Sequence, residues 1–189
     1  MKSSIKIAAI ALGFAAFTFS AKAQTTTTPS TTSNGVKFSI GVDAGLPSGD
    51  IKNAYNWNIG GSVQADIPVL NQLFVTVNAG YNSFQGKTID GVSATNIQLL
   101  PVKAGLKFFP VSNFYIQGEA GAAFALNKSD VDFNKSAAFI YAPQVGYQFQ
   151  LGGNNYIDAG VRYEASTKFN SNVDDSKVNF FGLRVAYGF

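Results

Sequence analysis

The sequence contains neither cysteine nor histidine. Without cysteine we expect no disulfide, no thiolate metal ligand and no lipid anchor on an N-terminal cysteine. Without histidine the chain lacks the side chain best suited to acid–base catalysis near neutral pH, so Ser-His-Asp and Cys-His arrangements are impossible. We therefore predict that the protein is not an enzyme.

An excess of positive charge is also missing once the start of the chain is set aside. The chain has 14 Lys and Arg residues against 11 Asp and Glu residues, but Lys2, Lys6 and Lys22 lie within the first 23 residues. The remainder carries 11 basic and 11 acidic residues. Because its charges balance, no nucleic-acid partner is predicted.

Long uninterrupted runs of hydrophobic residues are scarce in this chain. The apolar stretch from Ile7 to Phe19 is shorter than the ~20 residues that a helical membrane span requires. It follows two lysines and precedes Ala21-Lys22-Ala23, the small-residue pattern of a signal-peptide cleavage site. We predict a signal peptide at residues 1–23, a flexible Thr- and Ser-rich tether at residues 24–34, and one domain at residues 35–189.

The rest of the chain alternates apolar and small or polar residues. The last stretch is the clearest, with Phe181, Leu183, Val185, Tyr187 and Phe189 at every odd position. Because successive side chains of a strand point to opposite faces, this period predicts a strand with one continuous apolar face. Eight such segments are predicted, at Val36–Leu46, Tyr55–Ile67, Leu73–Phe84, Thr95–Phe109, Phe114–Leu126, Ala138–Gln150, Tyr156–Ser166 and Lys177–Phe189.

The connections between these segments alternate in length. Residues 69–72, 110–113 and 152–155 have the composition of tight turns, whereas residues 47–54, 85–94, 127–136 and 167–176 are longer and polar. This alternation is typical of an all-β, eight-stranded antiparallel up-and-down transmembrane β-barrel, with both chain ends on the short-turn side.

Charged residues recur in the middle of the predicted strands, opposite the apolar positions. In a membrane barrel these would share the narrow interior, where opposite charges can pair. The predicted interior network consists of Asp43, Asp66, Lys103, Lys107, Glu119, Asp158, Arg162, Glu164 and Arg184.

Aromatic residues on the apolar faces fall near both strand ends, as expected for girdles at two bilayer interfaces. The girdle on the long-loop side comprises Trp57, Tyr81, Phe124, Phe139, Tyr163 and Phe181. The girdle on the short-turn side comprises Phe108, Phe114, Tyr147, Phe149, Tyr187 and Phe189.

Two prolines interrupt the alternation. In the fourth segment the apolar positions change from odd to even at Leu99-Leu100-Pro101, which predicts a β-bulge there. Pro143, inside the sixth segment, predicts a second irregularity because proline cannot donate to a ladder.

Motifs for cofactors or metals are weak. Asp130, Asp132 and Asn134 match the first ligand positions of a calcium loop, but Lys135 replaces the required glycine and Tyr141 the final glutamate. We predict neither a cofactor nor a metal site.

The alternation and the terminal Tyr187 and Phe189 resemble the small eight-stranded outer-membrane barrels of the OmpA/OmpX type. The resemblance covers residues 35–189. It implies a monomer in the outer membrane of a Gram-negative bacterium, with both termini periplasmic. It also implies contact with outer-membrane lipid, and recognition of the C-terminal strand, through Tyr187 and Phe189, by the barrel-assembly machinery.

The predicted function is a structural or surface-interaction role through the external loops, with an unknown external ligand. Exposed candidates in these loops are Lys128, Asp130, Lys168 and Asp174. Three alternatives are a narrow, porin-like channel, a soluble lipocalin-like binder of apolar ligands, and an acyl-modifying enzyme, which the missing histidine disfavours.

Overall fold

The computed structural model describes residues 35–89, 91–131, 133–173 and 176–189. The predicted signal peptide and tether lie outside these residues. The elements are β1 (Lys37–Ser48), a 3-10 turn (Gly49–Asn53), β2 (Tyr55–Leu70), β3 (Leu73–Gly86), β4 (Thr88–Ile89), β5 (Val92–Ser93), β6 (Ile97–Val111), β7 (Phe114–Ala125), β8 (Ala137–Gly152), β9 (Asn155–Ser166) and β10 (Asn179–Gly188). Among the described residues no helix has the length and hydropathy needed to cross a membrane.

Eight of the strands form one closed antiparallel barrel, so the predicted fold class is confirmed. The strands lie in the order β1-β10-β9-β8-β7-β6-β3-β2, and the short β4 and β5 form a separate hairpin. The two-residue connections all lie at one end of the barrel, together with the start of β1 and the end of β10. We call this the turn end, and we call the opposite end, with its long connections, the loop end.

The first and last barrel strands pair along their whole length. The register runs from Ser39 opposite Gly188 to Ser48 opposite Asn179. Beyond it, Phe38 N donates to Phe189 O at 3.1 Å and Phe189 N donates to Phe38 O at 2.9 Å. The barrel therefore closes without a free strand edge.

The outward face of the barrel is apolar. In β10, Phe181, Leu183, Val185 and Tyr187 are exposed, while the residues between them are buried. Ten residues of the predicted aromatic girdles are exposed on this face, from Tyr187 at 41% to Phe181 at 57%, and Phe114 and Tyr163 are partly exposed. Among the described residues no barrel strand carries a charged side chain on this face, as lipid contact requires.

The β-bulge predicted at Leu99-Leu100-Pro101 is wrong. The register of β6 with β7 is unbroken from Leu99 opposite Ala125 to Phe108 opposite Ile116. Ile97 and Leu99 are buried and share the inward face with Lys103 and Lys107. The apolar residues changed phase because the interior itself becomes apolar towards the loop end, while the backbone keeps its register.

The irregularity predicted at Pro143 is an interruption of pairing without a shift of register, since Ala142 and Pro143 are missing from the pairs between β8 and β9. The register of β8 with β7 passes through Gly118 opposite Pro143 without a shift, and β8 keeps one register with β9 on either side of it. Pro143 is exposed, so its ring faces away from the packed interior. The missing N–H of a proline costs one ladder bond and need not add a residue.

The register shifts lie next to the two-residue turns. They occur between Pro68 and Leu70, Phe108 and Val111, and Gln150 and Gly152. Two of these turns contain a residue with positive φ, Asn113 at 69° and Gly153 at 58°. A left-handed residue beside a bulge lets a short turn follow the twist of its strands. A further shift separates Tyr55 from Trp57 at the loop end.

A hydrophobic cluster fills the interior at the loop end. Phe84 and Phe180 meet edge to face with ring centroids 5.4 Å apart, and Phe169 enters from the loop between β9 and β10. The buried members are Ile51, Phe84, Ile97, Leu99, Ala123, Ala138, Ile140, Phe169, Val178 and Phe180. This loop-end cluster closes the barrel interior on that side.

Two adjacent phenylalanines test the assignment of faces. Phe180 is 1% exposed inside the loop-end cluster, whereas Phe181 is 57% exposed on the outer face. We expect Phe180→Ala to lower the free energy of unfolding by about 3–5 kcal/mol because it leaves a cavity in a packed core. Phe181→Ala should cost clearly less, because lipid chains fill the space. Both free energies of unfolding are measured by urea titration in lipid vesicles, with gel mobility of unboiled samples as the readout. Equal losses of stability in the two variants would contradict the assignment of faces.

Candidate functional site

The structure places all nine predicted charged residues inside the barrel, where none is more than 4% exposed. They come from β1, β2, β6, β7, β9 and β10, so no local segment holds them together. The inward phase of each strand brings them into one interior.

Lys103 joins two carboxylates in the middle of this network. Its Nζ lies 2.7 Å from Glu164 Oε2 and 3.3 Å from Glu119 Oε2. Arg162 Nη1 lies 3.0 Å from Asp43 Oδ1, and its Nε lies 3.9 Å from Glu164 Oε2. Two cations therefore compensate three anions in this half of the network.

Lys107 and Arg184 serve the half nearer the turn end. Lys107 Nζ lies 2.6 Å from Asp66 Oδ2 and 3.8 Å from Asp158 Oδ2. Arg184 Nη1 lies 3.7 Å from Asp158 Oδ1, while its Nε donates to Ser62 Oγ at 3.1 Å. Ser62 Oγ in turn donates to Asp43 Oδ2 at 2.7 Å, which links the two halves.

Neutral polar side chains complete the network. Tyr115 donates its hydroxyl proton to Asp158 at 2.8 Å, and Gln148 donates to the same carboxylate at 3.1 Å. Gln64 donates to Asp66 at 2.7 Å. Alternation sets Tyr115 on the same face of β7 as Gln117 and Glu119, but the predicted network contained charged residues only and so omitted its hydroxyl.

Aromatic rings close the interior towards the turn end. Tyr115 and Tyr156 are at most 1% exposed and Phe74 is 7% exposed. Lys37 Nζ lies 5.7 Å from the Phe74 ring centroid and 5.8 Å from that of Tyr156. A Cβ at Gly188 would come within 2.0 Å of the Tyr156 ring, so only glycine leaves room for it.

The interior is therefore filled, with the loop-end cluster on one side, aromatic rings on the other and paired charges between. Asp158, Arg162 and Glu164, which share one face of β9, each have a charged partner within 4.0 Å and are shielded from solvent. Each of these three charges is thus buried beside a charge of opposite sign, which offsets part of the cost of removing it from water.

No metal site is found among the described residues, which lack a suitable group of three His, Cys, Asp or Glu side chains. In the weak calcium motif, Asn134 Oδ1 accepts a hydrogen bond from Ser171 N at 3.1 Å. Asp132 of that motif and the loop candidate Asp174 lie outside the described residues. Lys128 and Asp130 are exposed and Lys168 is half-buried, all at the loop end.

Tyr187 and Phe189 lie on the outer face at the turn end, 41% and 55% exposed. Their ring centroids are 6.2 Å apart, and the Phe189 ring lies 6.5 Å from that of Phe38 on the neighbouring strand. The two residues thus form an exposed aromatic patch at the barrel seam.

A cavity at the loop end was not predicted from the sequence. It has a volume of about 400 Å³ and opens among three loops. Its walls are Asp50, Ile51, Ala54, Tyr55, Ile97, Val131, Phe133, Asn170, Val173, Ser176 and Val178. The residues come from loops and strand ends far apart in sequence, so alternation gave no signal for it.

An apolar outer face around a filled, charged interior defines an integral membrane barrel, the reverse of the apolar cavity of a lipocalin-like binder. The sequence profile described as outer membrane protein beta-barrel domain matches residues 9–189. The chain belongs to this family, which assigns it to the outer membrane. A search of curated protein sequences found no significant match.

Three solved structures illustrate the shared fold. Ail of Yersinia pestis has 21% sequence identity and a TM-score of 0.54, covering 82% of this chain and 98% of Ail. OprG of Pseudomonas aeruginosa has 12% identity and a TM-score of 0.52, covering 81% and 93%. Neisserial surface protein A has 15% identity and a TM-score of 0.52, covering 81% and 94%. All three are small outer-membrane barrels, and at these identities the likeness concerns the fold alone.

Lys103 provides the test of the interior network. Lys103→Met removes the ammonium group that lies between the carboxylates of Glu119 and Glu164. These two negative charges then remain side by side in a buried site. We expect a loss of about 3–5 kcal/mol in the free energy of unfolding, measured by urea titration in lipid vesicles.

The exposed Lys135 supplies the control, since Lys135→Met should change stability by less than about 0.5 kcal/mol. Adding Glu119→Gln and Glu164→Gln to Lys103→Met should restore most of the lost stability, because no unpaired charge remains. A triple variant no more stable than Lys103→Met would show that the carboxylates are not the cause.

Proposed function

We propose that this protein is a closed, non-enzymatic outer-membrane barrel whose loop end performs recognition at the cell surface. The filled interior is the observation that carries this proposal. With nine charged side chains at most 4% exposed, the barrel offers a solute no wet path and a substrate no site. Recognition is left to the loops, which a rigid barrel positions.

The filled interior also argues against the main alternative, a narrow channel. A conducting path would have to pass the loop-end cluster, where Phe84, Phe169 and Phe180 are at most 1% exposed. It would then have to separate Lys103 from Glu164 or Lys107 from Asp66, which lie at 2.7 Å and 2.6 Å. Both steps break packing that stabilises the barrel.

We place the loop end outside the cell and both chain ends in the periplasm. The two-residue turns at one end and the long connections at the other support this orientation, since outer-membrane barrels have short periplasmic turns and longer external loops. The chain as described closes on itself, so we propose a monomer, embedded in outer-membrane lipid. The aromatic patch of Tyr187 and Phe189 is the surface that we propose the barrel-assembly machinery recognises.

A surface-interaction role fits the composition of the loop end. Outside the barrel interior, the described charged residues lie almost entirely in the loops, as Asp50, Lys52, Lys87, Lys128, Asp130, Lys135, Lys168 and Lys177. Charges of both signs on an exposed surface favour selective contacts with a partner. The name of Ail, the attachment invasion locus protein, refers to such a role in a protein of the same fold.

Conductance in planar lipid bilayers tests the closed barrel. We expect the reconstituted protein to give no stepwise current, whereas a general porin prepared in the same way conducts. Stepwise openings from the unmodified protein, with amplitudes changed by Lys107→Met, would show a pathway through the interior and overturn the proposal.

Labelling of single cysteines tests the orientation, because the chain has no cysteine of its own. Ser171→Cys at the loop end and Asn154→Cys at the turn end are matched variants, since both positions are exposed. A membrane-impermeant maleimide should label intact cells of the Ser171 variant only, and both variants after lysis. Labelling of the Asn154 variant in intact cells would reverse the orientation.

A further inference from the structure

We infer that the loop-end cavity binds a small, compact apolar molecule that carries an amine. This inference rests on the proposed function, because it names a site on the surface to which we assign recognition. Four features of the cavity support it: its floor, its supported walls, the carboxylate of Asp50 and its size.

The floor of the cavity is apolar and rigid. Ile51, Ile97 and Val178 form it, and each also belongs to the packed loop-end cluster, with exposures of 6%, 3% and 3%. A floor built into the core keeps its shape without a ligand. Binding to such a preformed surface avoids much of the cost of ordering side chains.

The walls come from loops that are bonded to one another. Lys135 N donates to Phe169 O at 2.9 Å, and the stacked rings of Phe133 and Phe169 are 4.7 Å apart. Ser176 Oγ donates to Asn170 O or Val173 O, at 2.9 Å and 3.0 Å. The contacts of Phe169 hold the loop between β7 and β8 against the loop between β9 and β10, and those of Ser176 brace the second loop internally. The cavity is therefore a built feature of the loop end.

Asp50 is the one charged residue among the described residues that line the cavity. It is exposed, and within the described part of the chain its carboxylate has no ion-pair partner. The hydroxyl of Ser176 already donates to a backbone carbonyl, so it is a weaker hydrogen-bonding group for a ligand. A free carboxylate beside apolar walls complements an ammonium group on an apolar body.

The volume restricts the size of the ligand. About 400 Å³ is at the small end of the range of ligand-binding pockets, which spans ~300–1,000 Å³. Together with the apolar floor and the carboxylate of Asp50, this favours a compact ligand over a long acyl chain or a peptide.

Three cage compounds of one shape test the inference, namely 1-adamantanamine, 1-adamantanol and 1-adamantanecarboxylate. The full-length mature protein in phosphatidylcholine nanodiscs is titrated with each while backbone amide NMR signals are recorded. We expect saturable shifts around Ile51, Val131 and Val178, with the amine binding tightest and the carboxylate weakest.

Two variants separate the contributions of charge and shape. Asp50→Asn should weaken binding of the amine about two- to fivefold, as expected for an exposed ion pair, and leave the alcohol unchanged. Asp130→Asn, at an exposed loop-end carboxylate outside the cavity, is the matched control and should change neither. Ala54→Trp should fill the cavity and abolish saturable binding, and Val173→Trp provides a second filling variant if the first misfolds.

Several results would overturn the inference. Binding that survives both filling variants would exclude the cavity, and equal affinity for the amine and the carboxylate would exclude the role of Asp50. Shifts that never saturate and lie on outward-facing residues would show simple partition into lipid. These failures are distinct from failure of the proposed function, because a sealed barrel would still show no conductance in the bilayer experiment.

Discussion

Closure of β1 against β10 is the constraint on which the rest of the structure depends. Hydrocarbon supplies no hydrogen-bond partner, so each backbone N–H and C=O of a membrane strand must find one within the protein. The full-length register of the seam, extended by the bonds between Phe38 and Phe189, leaves no strand edge exposed. Once the sheet is closed, every side chain of a barrel strand faces either lipid or one narrow interior.

That division determines where charge can lie. The outward face carries apolar residues, so the described charges collect in the interior or in the loops. The interior then needs ion pairs, which the contacts of Lys103 and Lys107 with four carboxylates illustrate. Nearer the loop end the interior contains hydrocarbon side chains instead, and these support the loops from below. Anchorage in lipid and the recognition that we propose for the loops are thus separated along the barrel axis.

Much of this arrangement was predictable from sequence. Alternation predicted the eight barrel strands, their faces and the nine interior charged residues. It could do so because side chains two positions apart lie on the same face of a strand. It failed at Ile97 and Leu99, where an apolar interior was mistaken for a shifted backbone. The two environments give the same pattern, since hydrophobicity does not distinguish lipid from a packed core. The loop-end cavity depends on contacts between distant loops, which no local period records.

The position of Arg184 has a consequence for how the barrel is made. Its partners Ser39 and Ser62 lie 145 and 122 residues earlier, on the first two strands, and Asp158 lies on the strand before it. An unfinished sheet that lacks β10 would leave these partners without their cation, and it would also leave two open edges. Because β10 lies between β9 and β1, the sheet cannot close without it. In the described barrel, β10 therefore completes both the hydrogen-bonded sheet and the interior charge network.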